Sequence, residues 1–241
     1  MADAAFPLES ATPLWISICG KMAPISSIML YLAPIPTVQE FSRRRLVGDL
    51  PLLPYTSMLS NSFAWVIYGL LVSEPKLWTA NGVGLGLSLY YFLSFARFSP
   101  EGAASLPGTL EQHIQGFVSI LAFVLWMAKS KKAGPIGKLG VAINLAMYAS
   151  PLAAIQAVLE TKSTEAIPLP LTLASLVSCV FWTITGYLEM HDPYVWIPTV
   201  FGIVFGIMQV GLKIAFHTER AAIHNLSPDI HSQQAVLNQL S

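Results

Sequence analysis

Charge is what this chain has least of. Thirteen Lys and Arg and thirteen Asp and Glu are spread through 241 residues, 54% of which are hydrophobic, and the mean hydropathy is +0.59. That is too little charge to solvate the surface of a soluble protein of this size, so the chain reads as an integral membrane protein. Formal net charge is zero, and no Lys/Arg stripe runs beside aromatic residues, which argues against a nucleic-acid partner. Cysteine is nearly absent. Cys19 and Cys179 both lie in apolar stretches and read as packing residues rather than a disulfide. The opening MADAAFPLES is acidic and places no charged segment ahead of an apolar run, so no cleavable signal peptide is expected and the first span is read as the targeting element.

A further absence lies inside the apolar stretches. Seven of them meet or approach the length of about 20 residues that a hydrocarbon core of about 30 Å requires. They fall near 15–38, 50–72, 76–97, 113–128, 137–159, 167–188 and 194–216, the fourth being the shortest. None has an Asp or Glu in its interior: Asp49, Glu74, Glu160, Glu165, Glu189 and Asp192 sit at span ends or in loops. Buried carboxylates mark proton relays and coupled ion sites. Their absence points to passive movement of an uncharged solute, with a purely structural membrane protein as the bland alternative. No buried nucleophile with a base and no buried metal-ligand cluster is visible, so neither an enzyme nor a cofactor or metal site is expected. His217, His224 and His231 recur every seven residues, but Ser227-Pro228 breaks a helix that would align them.

What the chain does have is a duplication. The stretch Tyr31 to Gly69 returns as Tyr148 to Gly186, with Tyr31/Tyr148, Pro34/Pro151, Gln39/Gln156, Pro51/Pro168, Leu59/Leu176, Trp65/Trp182, Ile67/Ile184 and Gly69/Gly186 each 117 residues apart. The third helices continue the match at an offset of 118, pairing Asn81 with Thr199 and Gly84 with Gly202. The fold class expected is therefore all-α, with seven transmembrane helices arranged as 3+1+3. Because three helices reverse sidedness and the single fourth restores it, the repeats enter the membrane from the same side and are parallel. The expected parts are a segment 1–14, a first repeat 15–97, a linker with the fourth helix 98–136, a second repeat 137–216, and a polar tail 217–241 without regular structure. With the N-terminus outside and the C-terminus in the cytosol, the inner side carries seven Lys/Arg and the outer side six, a weak preference. The plasma membrane is the expected location, with an internal membrane as the alternative.

Uncharged polar residues inside the spans suggest a pocket. Asn61, Asn81, Ser178 and Thr199 each need a partner or a wet cavity at membrane depth. Asn61 and Trp65 are four residues apart, as are Ser178 and Trp182, so each pair shares a helix face. Two indoles with hydroxyls and amides beside them suit a pyranose, whose ring faces are apolar and whose hydroxyls need hydrogen bonds. The alternative is that both indoles belong to an interfacial belt. Pro34, Pro54, Pro151 and Pro168 are expected to interrupt their helices at equivalent places, as hinges or as static kinks. Arg43, Arg44 and Arg45 read as an anchor on lipid phosphates, and Gly82, Gly84, Gly86, Gly202 and Gly206 as helix-packing positions.

These residues carry a family likeness. APIPT, LPY and WVIYG in the first half, and ASPLAAI, ETKSTEAIP and IPTVFG in the second, resemble the SWEET sugar facilitators over residues 15–216. That family is itself a standing instance of parallel repeats. The resemblance implies bidirectional uniport of mono- or disaccharides by alternating access, and a homo-oligomer in the bilayer. Position by position it implies that Trp65, Asn81 and Trp182 bind the sugar, with Thr199 after Pro198 where the family has Asn. It implies that Leu30, Asn61, Met147 and Ser178 tune substrate size, the bulk of Leu30 and Met147 favouring hexoses such as glucose. It implies an extracellular gate of Tyr68 and Asp192 and a cytosolic proline tetrad. Gly20-Lys21 stands where the family has Gly-Asn. A PQ-loop-type exporter is the first alternative and lacks its PQ pair here. A seven-helix receptor or retinal protein is the second; Lys213 lies near the end of its span and has no counter-ion.

Overall fold

In the computed structural model, the residues described are 13–48, 50–99, 108–165 and 167–239, with backbone alone for 149 and 217–239. All the regular elements among them are helical. The first span is α1 (Leu14–Leu32) continued by α2 (Ile35–Arg44), followed by α3 (Leu53–Leu71) and α4 (Pro75–Phe98). The fourth is α5 (Leu110–Lys129). The second triplet is α6 (Ala133–Met147) with α7 (Ala149–Thr161), then α8 (Leu169–Ile184) with a π turn Thr185–Glu189, and α9 (Pro193–Gln239). Seven helices thus form the 3+1+3 plan, and five are long and apolar enough to cross a membrane by composition alone. The exceptions, α3 and α4, bury Thr56, Ser60, Asn61 and Ser62, and Asn81 and Ser88. Their low hydropathy comes from residues turned into the bundle.

The proline expectation divides. Pro34 and Pro151 lie at true breaks, where α1 gives way to α2 and α6 to α7. Proline cannot donate to the carbonyl four residues back, and at the first break the freed Leu30 carbonyl accepts from Ala33 N instead, at 3.2 Å. Pro54 and Pro168 correct the expectation, for they interrupt nothing. Pro54 is in the first turn of α3 and Pro168 is the N-cap of α8. A helix start has unpaired N–H groups in any case, so proline is tolerated there.

Two further differences have local causes. The fourth helix, the shortest by composition, runs 20 residues from a capping box in which Thr109 and Gln112 satisfy each other's backbone N–H groups, so its first turn is set by capping rather than by apolarity. The segment expected as an irregular tail continues α9 in backbone through Gln239. Poor apolarity removes the driving force for packing, not the propensity for helix. The three histidines of that segment have side chains outside the described residues.

The step in repeat offset from 117 to 118 has a structural counterpart. Gly69 and Gly186 are still 117 apart, while Pro75 and Pro193, which begin α4 and α9, are 118 apart. The extra residue belongs to the π turn Thr185–Glu189, since a π turn holds one residue more than the α-helical turn ending α3. Elsewhere the backbone repeats closely: Arg45 and Lys162 close α2 and α7 at φ 54° and 55°, and Ser73 and His191 occupy matching left-handed positions at 57° and 52°.

Within each repeat the third helix lies between the other two, α4 against both α1 and α3, and α9 against both α6 and α8. The repeats meet crosswise, α1 on α8 and α3 on α6, and α5 covers α3. One apolar core, including Trp65, Tyr68, Val124, Ile136, Trp182 and Val195, is built from both repeats and α5. The other, with Val38, Phe41, Leu52, Tyr91 and Phe95, takes its buried residues from the first repeat, with Leu110 and Phe117 of α5 packed against it.

Candidate functional site

A cavity of about 140 Å³ lies where the four crosswise helices meet, in the middle of the bundle. Its walls are Trp65 and Trp182, and around them stand Asn61, Asn81 and Thr199. Both indoles are buried, Trp65 at 5% exposure and Trp182 at 8%, which places them in the bundle and not in an interfacial belt. Helix periodicity puts each indole one turn below a polar residue, and the structure uses the two neighbours differently. Trp65 Nε1 donates to Asn61 Oδ1 at 3.0 Å. Trp182 Nε1 instead crosses to the other repeat and donates to Ser27 Oγ at 2.7 Å. Ser178, the twin of Asn61, accepts from Ser26 Oγ at 2.9 Å and stays off the cavity wall.

Asn81 is held from two sides. Its Oδ1 accepts from Tyr31 Oη at 2.9 Å and its Nδ2 donates to the Leu77 carbonyl, also at 2.9 Å. Tyr31 in turn accepts from Ser62 Oγ at 3.2 Å. Thr199 is more self-contained, its hydroxyl lying 2.8 Å from Thr183 Oγ1 and 2.9 Å from the Trp196 carbonyl. The Tyr31 twin, Tyr148, donates to the Pro198 carbonyl at 2.9 Å. Each tyrosine ring passes over a glycine. A Cβ on Gly84 would stand 2.5 Å from the Tyr31 ring, and one on Gly202 would stand 2.5 Å from Tyr148 Oη. Those glycines make room for a side chain rather than for a helix backbone.

Sequence reasoning passed over five residues of this wall: Ser27, Tyr31, Leu77, Asn144 and Val195. A signal for them existed. Ser27 and Asn144 are 117 apart and Leu77 and Val195 are 118 apart, the offsets of the two parts of the repeat. The members of each pair differ in residue type, so identity matching does not reveal them. Leu30 and Met147 do not line the cavity; Leu30 is in the last turn of α1 and Met147 ends α6, each four residues before a proline, Pro34 and Pro151.

Toward one end the two repeats are fastened together. Tyr68 Oη donates to Asp192 Oδ2 at 2.6 Å, while Asp192 Oδ1 accepts from Tyr194 N at 2.9 Å and so caps the start of α9. The Tyr68 ring meets Trp65 edge-on at 5.4 Å and Tyr194 at 6.0 Å between centroids. Lys76 forms an ion pair with Glu189, the last residue of the π turn. Gly20 lies so close that a Cβ would strike the Glu189 carboxylate. Lys21, beside it, is exposed on α1, and nothing in the structure explains its charge. At the opposite end the hydrogen bonds of Gln209 to the Pro151 carbonyl and of Lys213 to the Thr164 and Ile167 carbonyls remain within the second repeat. The Arg43 and Arg44 side chains are exposed there and paired with Glu40.

Two parallel three-helix repeats, crossed over a polar cavity walled by indoles and fastened at one end, define a membrane transport protein of the repeat-built class. Comparison with known proteins agrees. The family model described as "Sugar efflux transporter for intercellular exchange" matches the chain twice, at 17–103 and 135–221. The chain is 32% identical over 204 residues to the bidirectional sugar transporter SWEET4 of Oryza sativa subsp. indica, covering 82% of this chain and 78% of that protein. It is 30% identical over 207 residues to SWEET5 of Arabidopsis thaliana, covering 83% and 86%. A solved eukaryotic SWEET transporter superposes with a TM-score of 0.72 at 21% identity, over 85% of this chain and 99% of that one. The chain belongs to the SWEET family.

Proposed function

We propose that the protein is a facilitative, bidirectional sugar uniporter that works by alternating access and carries hexoses such as glucose. The observation that carries this reading is the pairing of two buried indoles from equivalent positions of the repeats around one cavity that has amides and hydroxyls and no carboxylate on its wall. A pyranose offers apolar ring faces to the indoles and hydroxyls to the amides. Without a carboxylate, histidine, lysine or arginine on the cavity wall there is nothing to couple a proton or cation to the sugar, so the solute runs down its own gradient. The cavity is close in volume to one of about 150 Å³ that holds a benzene molecule. One six-membered ring therefore fits better than two, which supports a monosaccharide.

The fastened end containing Tyr68 and Asp192 is read as the extracellular gate, and the structure as the state closed on that side. The core shared by both repeats lies toward this gate, whereas the core at the α2 end includes no residue of the second repeat, which supports an opening between the halves there. Pro34 and Pro151, at the breaks, serve as hinges, with Pro54 and Pro168 stiffening the starts of the adjoining helices. This orientation puts the N-terminus outside and Arg43 to Arg45 at the cytosolic face, in the plasma membrane. The exposed apolar faces of α5 are available to lipid and to further copies in a homo-oligomer. Labelled glucose, fructose, galactose and sucrose supplied to cells without hexose carriers of their own test the proposal. Glucose uptake above sucrose uptake is expected. No uptake of any of the four, with the protein detected at the surface, contradicts it.

A further inference from the structure

Most polar side chains around the cavity are already engaged by other protein groups: Ser27 by Trp182, Asn61 by Trp65, Asn81 by Tyr31 and the Leu77 carbonyl, Thr199 by Thr183 and the Trp196 carbonyl. Asn144 differs. It lines the same cavity from α6, and its amide makes no side-chain hydrogen bond among the described residues. A free amide at membrane depth needs a partner, and here that partner has to come from the contents of the cavity.

Asn144 is the repeat twin of Ser27, 117 residues away, and the two are used unequally. Ser27 is turned to the Trp182 indole, while Asn144 keeps both an acceptor and two donors. The same inequality appears in reverse one helix along. Asn81 brings an amide to the cavity from the first repeat, and its counterpart Thr199 brings only a hydroxyl that is spent on its own helix and Thr183. From this we infer that Asn144 is a specificity-determining residue, supplying from α6 the amide that the second repeat lacks at Thr199 and reading one hydroxyl group of the sugar. An amide pairs with a hydroxyl in both directions, its carbonyl accepting and its NH2 donating. This inference rests on the sugar-uniporter reading and adds which group on the second repeat recognises the sugar.

A site that hydrogen-bonds a substrate hydroxyl discriminates against the analogue lacking it, because its own polar group is then left unpaired. The test is uptake of glucose and of its 2-, 3-, 4- and 6-deoxy analogues by the wild type, Asn144→Ala and the double variant Asn144→Ala/Thr199→Asn, each normalised to surface protein. Asn144→Ala is expected to raise the KM for glucose about fivefold to tenfold with the maximal rate kept, the pattern of lost uniform binding by one hydrogen bond. It also erases the wild-type preference for glucose over one of the four analogues, and Thr199→Asn in that background recovers at least half of the lost affinity. An unchanged KM, or a loss equal for glucose and all four analogues, overturns the inference while the uniporter reading stands. If the wild type moves no sugar at all, the uniporter reading falls and this inference with it. Should Asn144→Ala fail to reach the surface, Asn144→Ser is measured in its place under the same two criteria.

Discussion

Replacement of Trp182 by alanine is expected to cut glucose uptake about a hundredfold while the protein still reaches the membrane. The indole contributes in two ways. Its ring face covers the cavity, and withdrawing a comparable apolar face of the sugar from water is worth roughly 2 kcal/mol. Its Nε1–H bonds to Ser27 across the repeat boundary at 2.7 Å and so holds the ring face over the cavity before the sugar arrives, a preorganisation worth about 1 kcal/mol. Together these are about 3 kcal/mol, or somewhat over a hundredfold in affinity. Folding survives because the ring stands against a cavity on one side, so no close-packed interior collapses when it is removed. Trp182→Phe separates the two contributions: it keeps a ring face and loses the N–H, and should retain about a fifth of wild-type affinity. Uptake by Trp182→Ala within threefold of wild type, at equal surface density, removes the indole from the pocket.

The second large effect is expected at Gly137, which does not itself line the cavity. A Cβ there would stand 2.8 Å from the Tyr194 ring and 2.9 Å from Tyr68 Cε2. Gly137→Val therefore wedges apart the two aromatic side chains beside the Tyr68–Asp192 hydrogen bond. Overpacking of this kind costs roughly 1–3 kcal/mol. The cost falls on the state closed at this end, because opening moves the rings away. A shift of that size changes the balance of two states by about tenfold to a hundredfold, and a uniporter that must visit both states slows accordingly. Gly86→Val is the control, since a Cβ at Gly86 meets nothing within 4 Å. The expected result is at least a tenfold fall in uptake for Gly137→Val and none for Gly86→Val. Equal uptake by both variants shows that this end does not need to close.

Much of this architecture is legible in the sequence because duplication writes each structural requirement twice. Paired Trp65 and Trp182, and paired Asn81 and Thr199, come from one-dimensional offsets, and the structure brings all four to one cavity. Helix periodicity fixes which residues share a face, and span length fixes the number of helices. The offset step from 117 to 118 announced an extra residue, although only the backbone shows that a π turn absorbs it. The missing carboxylates are equally visible without coordinates.

The rest was hidden for identifiable reasons. Proline marks a discontinuity but does not say whether the helix ends or begins there, and so Pro54 and Pro168 were expected as interruptions. Ser27 and Asn144 obey the repeat offset without resembling each other. Which nitrogen reaches which oxygen depends on how the repeats cross: Trp182 ignores Ser178 on its own helix and bonds to Ser27 on α1, a choice that helix spacing cannot foresee. Glu189 looks like an ordinary span-end carboxylate until the π turn places it beside Lys76 and Gly20. Leu30 and Met147 were expected, by resemblance, to tune substrate size, yet they lie beside the helix breaks rather than on the cavity wall.

The most direct test of passive, bidirectional carriage is counterflow in liposomes reconstituted with the purified protein. Vesicles preloaded with unlabelled glucose are diluted into a trace of labelled glucose, with identical ion composition and pH on both sides. A uniporter that alternates access accumulates label transiently above its outside concentration and then releases it as the unlabelled gradient decays. Absence of that overshoot, or an overshoot that appears only when a proton or sodium gradient is imposed, contradicts the account.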